Sequence, residues 1–426
     1  MVSLQMLIVH ALEHDLLFHQ IDIKSAFLNA PLEEDIYVNP PPGVKTPPGY
    51  VLKLKKAMYG LKQAPNAWHR TLTEWLFQIG FRRCDAEPCV FWRKGTFLYL
   101  HVDDLAIFSK DPEVFKTEVR SKFQITDLGE STLLLGMNVT QEKGSITLSQ
   151  GHYIDSELER FGIQHLYPAS TPMKPGGHLV KASTAERIAL LESGKNYWSL
   201  VGALNYLSVT TRPDITFAVS SLSQYLNRPG ILHWEAGIQV FRYLKGTRDI
   251  GLRFNKTQQG LNSLIGYADA DWASCPESRR SVSGNLVLLN GNIISWKSKK
   301  QPTLSLSSTE AEYKSLGDIT KEIMWAKTLL KKVFNVKIPG PTKIYDDNQG
   351  AIALANDASN HSNYKTKHMA LRHHFIRREI KIKTIELKYI SSNQMLADFL
   401  TKAVGKISIK RALHGLHLLC SLPKRQ

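Results

Sequence analysis

The sequence predicts a multidomain protein of mixed α/β and α+β class, and three observations predict it. At about 150 residues per domain, 426 residues leave room for two or three domains. Residues 1–165 mix helical and strand patterns. From residue 251 onward the order is three strands, helix, strand, helix, strand, helix, which is the pattern of an α/β domain with a mixed sheet. A content of 43% apolar and 22% charged residues fits an ordinary globular chain and excludes disordered, collagenous and membrane-spanning classes. No apolar run reaches the length that spans a bilayer.

The elements follow in order. Met1 to Leu17 reads as a core helix, because its apolar run carries His10, Glu13, His14 and Asp15 and lacks the basic start of a signal peptide. Asn39-Pro40-Pro41-Pro42-Gly43 and Pro47-Pro48-Gly49 form a turn-rich interruption. Pro168, Pro172, Pro175, Gly176 and Gly177 mark a linker. Three helices are expected between 196 and 250, the second opening at Pro213. Strands are expected at Leu264 to Asp269, Asn285 to Leu289 and Ile293 to Trp296, with Gly284 and Asn290-Gly291 as punctuation. Leu316, Ile319, Ile323, Ala326 and Leu330 lie on one face of a helix that starts near Thr309. A strand at Lys343 to Tyr345, a helix near Gln349 to Ala355, a strand through Ile385, Leu387 and Tyr389, and a last helix from about Asn393 complete the set.

Charge and cysteine content narrow the function. There are 54 basic and 38 acidic residues, a formal net charge of +16, so a polyanion is the expected partner, either nucleic acid or an anionic membrane. Four cysteines make no disulfide framework and show no zinc spacing, which points to a reducing compartment.

Two clusters of acids carry the chemistry. Asp103 and Asp104 interrupt two apolar runs, 97–102 and 105–108, as a two-residue turn between strands would. They are either an acidic turn that solvates a hairpin tip or a site for a divalent cation, which prefers carboxylate oxygens. Asp22 lies in a short apolar strand, where a lone carboxylate needs a partner, and proximity to Asp103 and Asp104 would supply one. Two Mg²⁺ ions about 4 Å apart could then act on a phosphoryl group.

Asp22-Ile23-Lys24-Ser25-Ala26-Phe27-Leu28-Asn29, Tyr59-Gly60-Leu61-Lys62-Gln63-Ala64-Pro65 and His101-Val102-Asp103-Asp104 together resemble the polymerase motifs of copia-type LTR retrotransposon reverse transcriptases. The likeness continues through Leu135-Gly136-Met137, Thr171-Pro172-Met173, Thr211-Arg212-Pro213-Asp214 and Arg242-Tyr243-Leu244-Lys245-Gly246-Thr247. The resemblance implies that Asp22, Asp103 and Asp104 bind Mg²⁺ and that Phe27 lies under the sugar of the incoming deoxynucleotide. It also sets Lys62 and Gln63 near that nucleotide and His101 near the primer end. Plain core packing for Phe27 and a solvated surface for Lys62 are the competing readings. The family usually has Tyr where His101 stands. The chain starts where the family's fingers are already under way, so the basic finger residues have no counterpart and polymerase activity is expected to be impaired.

Farther along, Asp269 ends a strand, Glu310 opens a helix in Ser307-Ser308-Thr309-Glu310-Ala311-Glu312-Tyr313, Asp347 follows the fourth strand and Asp398 sits in the expected last helix. Each alone has an ordinary account: Glu310 in a capping box, Asp347 as an N-cap, Asp398 on the surface. In that order they resemble ribonuclease H, which copia-type elements carry after the polymerase. The resemblance makes Asp269, Glu310, Asp347 and Asp398 the metal ligands, with Asp271, Glu312 and Asp346 as near-neighbour rivals. Arg280, His368 and His374 are candidates to touch the nucleic acid, with help in proton transfer or a plain solvated basic loop as the competing readings of the two histidines, and in either case Lys365, Lys367, Arg372, Arg377 and Arg378 would attract phosphates. Ala370 and His373 depart from the family's acid and Tyr.

The implied organisation is a reverse-transcriptase palm with truncated fingers and the start of a thumb (1–167), a linker (168–195), a helical thumb or tether (196–254), a ribonuclease H-like domain (255–404) and a basic tail (405–426). The implied function is RNA-directed DNA synthesis with cleavage of RNA–DNA hybrids. It would use two Mg²⁺ per centre, with Mn²⁺ as an alternative. The implied partners are template-primer, hybrid and deoxynucleoside triphosphates, met inside the cell in cytoplasm, particle or nucleus and not at a membrane. The runner-up is a catalytically decayed or co-opted remnant that still binds nucleic acid.

Overall fold

A computed structural model describes residues 1–257, 261, 263–357 and 367–418, without the side chains of 367–371 and 373. The chain divides into two units, His14–Leu135 and Met1–Glu13 with Gly136–Gln426.

The first unit is built on a six-stranded antiparallel sheet in the order Arg82–Cys84, Glu87–Arg93, Thr96–His101, Asp104–Ser109, Leu17–Ile23, Ile125–Glu130. Alternation along each strand decides what faces the core. Ile21, Ile23, Leu98, Leu100, Leu105 and Ile107 join Trp68, Leu72, Trp75 and Leu76 of the helix Ala64–Gln78 and Phe115 and Val119 of the helix Pro112–Lys122. The second helix starts where Asp111 accepts a hydrogen bond from the Glu113 amide at 3.2 Å, with Pro112 in the first turn and Arg120 and Lys122 in the last. Gln20, Asp22 and Asp104 therefore fall on the sheet face away from these helices.

In the second unit the helix Val2–His14 is buried from Ser3 to Leu12, as its nearly unbroken apolar run requires. His10 stacks on Phe334 with ring centroids 4.4 Å apart, and Glu13 accepts from Thr257 and Asn290. The three expected helices are Tyr197–Thr210, Thr216–Ser223 and Ile231–Gly246. They enclose a fully buried ion pair, Arg212 to Asp214 at 2.7 Å, completed by the Tyr243 hydroxyl on Asp214 at 2.7 Å and by Thr247 Oγ1 accepting from Arg212 at 2.6 Å. The expected linker, 168–195, contains a further helix, Thr184–Glu192, started by a Ser183/Glu186 capping box.

A five-stranded sheet follows in the order Asn292–Lys300, Val282–Leu289, Leu264–Asp271, Thr342–Asp346, Ile385–Tyr389. The first three strands are antiparallel, and the last two run parallel to Leu264–Asp271. The helix Ser308–Val333 packs across it, and Gly266 permits this because a Cβ there would lie 2.8 Å from Ile319. Gly284, expected as punctuation, lies inside the strand Val282–Leu289. Its missing side chain makes room for Thr401 and Leu400, 2.7 and 2.9 Å from where a Cβ would stand.

The helix expected from Asn393 is instead two short 3₁₀ turns, Ser392–Gln394 and Asp398–Leu400, with the last of them pressed against Gly284. The expected basic tail starts as an ordered helix, Lys406–Gly415, which buries Ile409, Ala412 and Leu413. Its last residues, 419–426, lie outside the described residues.

Candidate metal centres

In the first unit the strand pairing sets Asp22 directly opposite Asp104. The hairpin turns on Val102 and Asp103, with His101 opposite Asp104, one residue earlier than the sequence implies. Val102 adopts φ +57°, and its carbonyl accepts from Trp68 Nε1 at 2.6 Å. The Asp103 carbonyl accepts from the Ile23 amide at 2.9 Å, which ties the turn to the strand carrying Asp22. Gln20 donates to Asp104 Oδ1 at 2.9 Å and accepts from Ser131 at 3.0 Å, so Asp104 is held from behind. Burial, followed by the Asp103 and Asp104 charges, raises the pKa of Asp22.

Phe27 is 8% exposed in the 3₁₀ turn Ala26–Asn29 and packs on Tyr59 with centroids 4.5 Å apart. Tyr59 is itself raised by burial and then by Asp103. Gln63 is half-buried at the start of the helix Ala64–Gln78, while Lys62 and His101 are exposed.

In the second unit carboxylate oxygens of Asp269, Glu312 and Asp347 all lie within 4.8 Å of one another. The strand Leu264–Asp271 supplies Asp269, 4% exposed, whose Oδ2 accepts from Thr401 Oγ1 at 2.5 Å. The helix Ser308–Val333 supplies Glu312 rather than the expected Glu310. Side chains two apart point to nearly opposite sides of a helix. Glu310 instead accepts from the Leu306 amide and pairs with Lys314, both at 2.9 Å, beside the Ser307 N-cap. Asp347 accepts from Ser392 Oγ at 2.6 Å.

Asp398 is outside that trio and pairs with Lys402 at 2.9 Å, yet its charge is the next cause after burial that raises Asp269. Asp346 is wholly buried, and its Oδ1 accepts from the Asn348 amide at 2.7 Å. Burial first, then the surrounding acids, drives Glu312 and Asp346 upward. Asp271 is raised by burial. Arg280 and His374 are exposed, whereas the side chains of His368, Ala370 and His373 lie outside the described residues.

A hard cation fits this donor set. Buried oxygens are nearly always partnered, yet Glu312 Oε2 and Asp346 Oδ2 have no hydrogen-bond partner. Acids converging on one buried spot repel each other unless a cation or protons intervene. A stability profile follows for the metal-free chain. Asp269 is pushed up from 3.8 to about 7, so the folded state keeps a proton that the unfolded chain has released. Stability therefore falls as pH rises from about 4 to about 7. Thermal melts across that window should show the midpoint dropping, and Mg²⁺ should restore it at neutral pH. A flat profile that ignores Mg²⁺ would contradict the site.

Comparison with known proteins places the chain. The reverse transcriptase (RNA-dependent DNA polymerase) family matches residues 1–175. Over 314 residues the chain is 33% identical to the putative transposon Ty5-1 protein YCL074W of Saccharomyces cerevisiae, covering 71% of this chain and 100% of that protein. It is 36% identical to the retrovirus-related Pol polyprotein from transposon TNT 1-94 of Nicotiana tabacum, over 98% of this chain and 32% of that protein. With the corresponding polyprotein from transposon RE1 of Arabidopsis thaliana it shares 35% identity over 96% of this chain and 28% of that protein.

The chain belongs to the copia-type retrotransposon Pol family. Its residues 1–175 are the part that matches the reverse transcriptase family, and the chain spans about a third of the length of the two Pol relatives. In this copia-type chain, sequence reasoning preferred Glu310 to Glu312, and one signal could have reversed that choice. Glu312 extends the stripe of Leu316, Ile319 and Ile323 back by one turn, and Glu310 does not. Thr401 was also missed, and it carries no pattern that separates it from ordinary packing, while Tyr59 stood in a quoted motif with no role given to it.

Proposed function

We propose that this copia-type chain synthesises DNA at Asp22, Asp103 and Asp104 and cuts the RNA strand of RNA–DNA hybrids at Asp269, Glu312 and Asp347. The observation that carries the second activity is the trio of acids, buried at Asp269 and Glu312 and half-buried at Asp347, with the unpartnered Glu312 Oε2. Divalent cations held there, Mg²⁺ or Mn²⁺, would supply Lewis-acid stabilisation of the charge that builds on the phosphoryl oxygens. Thr401 and Ser392 orient Asp269 and Asp347, and Asp398 with Lys402 sets the local charge at the rim. Selection of hybrid would rest on A-form shape and 2′-hydroxyls rather than on sequence. Arg280 and His374, both exposed, are the proposed contacts to its backbone.

At the first centre, Phe27 supported by Tyr59 would exclude a 2′-hydroxyl by contact, and Lys62 and Gln63 would approach the nucleotide. Template-primer and deoxynucleoside triphosphates are the proposed substrates, and the cell interior is the proposed place of action. Among the described residues no helix is long and apolar enough to cross a membrane. Primer extension tests this centre. Extension by the chain should disappear in Asp103→Asn, and Phe27→Ala should raise ribonucleotide incorporation while extension persists. Extension that survives Asp103→Asn would remove the assignment.

A further inference from the structure

We propose that the groove beside the second centre, floored by Tyr267 and Tyr345 and rimmed by Tyr389, Arg411 and His414, binds single-stranded nucleic acid. The proposal rests on the hybrid-cleaving function above and names a second site for it.

The groove has a volume of about 990 Å³. Its position follows from strand geometry. Tyr267 is two residues before Asp269 and Tyr345 two before Asp347, so Tyr267 shares a strand side with Asp269 roughly 7 Å away along the sheet. The pairing of the two parallel strands sets Tyr267 beside Tyr345, with ring centroids 5.2 Å apart and planes 24° from parallel. Tyr389, at the end of the neighbouring strand, is 52% exposed. The helix Lys406–Gly415 contributes Arg411 and His414, both exposed, and Arg411 is fixed by donating to the Asn393 carbonyl at 2.9 Å.

Among the described residues that line the groove there is no carboxylate, although the acid trio lies just along the strands. Tyrosine rings with the Arg411 guanidinium and the His414 imidazole at their edge suit unpaired bases on a phosphate backbone. Every base has a face to stack on an aromatic ring, and Arg411 meets the phosphates. A duplex keeps its base faces covered, so a single-stranded extension of the hybrid, RNA or DNA, is the occupant. An acidic peptide would use Arg411 and His414 without needing the tyrosine floor.

The test uses the full chain and single strands of about 12 nucleotides carrying 5-bromouracil, as RNA and as DNA. Irradiation should crosslink either strand to the segments around Tyr389 and Arg411, and a preference for one would name the source of the occupant. Tyr389→Ala and Arg411→Ala should each weaken single-strand binding by about tenfold, Tyr389→Phe should retain it, and blunt hybrid should be cut at the parent rate. Crosslinks confined to other segments, or undiminished binding by Tyr389→Ala, would overturn the proposal. So would binding that Arg411→Ala abolishes and Tyr389→Ala leaves intact, the outcome an acidic peptide-like site gives. Loss of blunt-hybrid cutting in the parent chain would instead overturn the function proposed above, while crosslinks at Tyr389 would still support the groove.

Discussion

Glu312→Gln is expected to lower cutting of an RNA–DNA hybrid by more than about a hundredfold, while Glu310→Gln keeps most of it. Loss of a group that merely supports a ligand costs about 10- to 100-fold, so loss of a ligand itself should exceed that range. The contrast is sharp because the two residues are two positions apart. Glu312 is buried among Asp269 and Asp347, and Glu310 is spent on the Leu306 amide and Lys314. Burial and the neighbouring acids already push the Glu312 carboxyl upward, so without metal Gln replaces a protonated acid of the same shape and should not destabilise the fold. A folded variant that has lost cutting would therefore locate the defect in the centre. Equal loss in both variants, or loss only in Glu310→Gln, would return the ligand to Glu310.

Asp214→Ala is expected to cost about 3–5 kcal/mol of stability, the range for leaving one member of a buried ion pair alone. Arg212 is 0% exposed and meets Asp214 through two hydrogen bonds of 2.9 and 2.7 Å. Tyr243 donates to the same carboxylate. With Asp214 gone, a fully buried guanidinium keeps its Thr247 hydrogen bonds and the Tyr243 ring 5.6 Å away but loses its counter-charge. Urea unfolding of parent and variant should show the midpoint falling with little change in slope. A difference under about 1 kcal/mol would mean that the cluster is already solvated in the folded state. The Thr-Arg-Pro-Asp segment thus serves as an internal clamp of the helical region rather than as a contact to nucleic acid.

Much of the fold was legible in the chain because its strands are short, apolar and bounded. The strands bearing Asp22 and Asp269 and the helix of Leu316, Ile319 and Ile323 stand where periodicity put them, and the hairpin at Asp103 and Asp104 is present with its turn one residue earlier. What failed has tertiary causes. Gly284 looked like a strand end, but it is a glycine because Thr401 and Leu400 approach it. Asp398 looked helical, but packing against that glycine leaves only a 3₁₀ turn.

Site legibility followed the same division. The order of the acids along the chain indicated a centre, while the choice between neighbours depended on which side of an element faces inward. Asp346 shows this most plainly. Alternation along Thr342–Asp346 buries Thr342, Ile344 and Asp346, and Asp347 lies just past the strand, free to reach the trio. The hairpin turn moved by one residue for a similar reason. Asp104 pairs with Asp22 and is held by Gln20, so Val102 takes the strained turn position.

On the proposed function, buried acids on the strand Leu264–Asp271 and the helix Ser308–Val333 cut hybrid through a bound divalent cation. The most direct measurement incubates the purified full chain with an end-labelled RNA–DNA hybrid and with duplex DNA while Mg²⁺ or Mn²⁺ is titrated, alongside Glu312→Gln. The expected result is internal cuts in the RNA strand alone, dependent on the cation and absent in Glu312→Gln. A folded parent chain that leaves the hybrid intact with both metals would contradict it and favour a nucleic-acid-binding remnant.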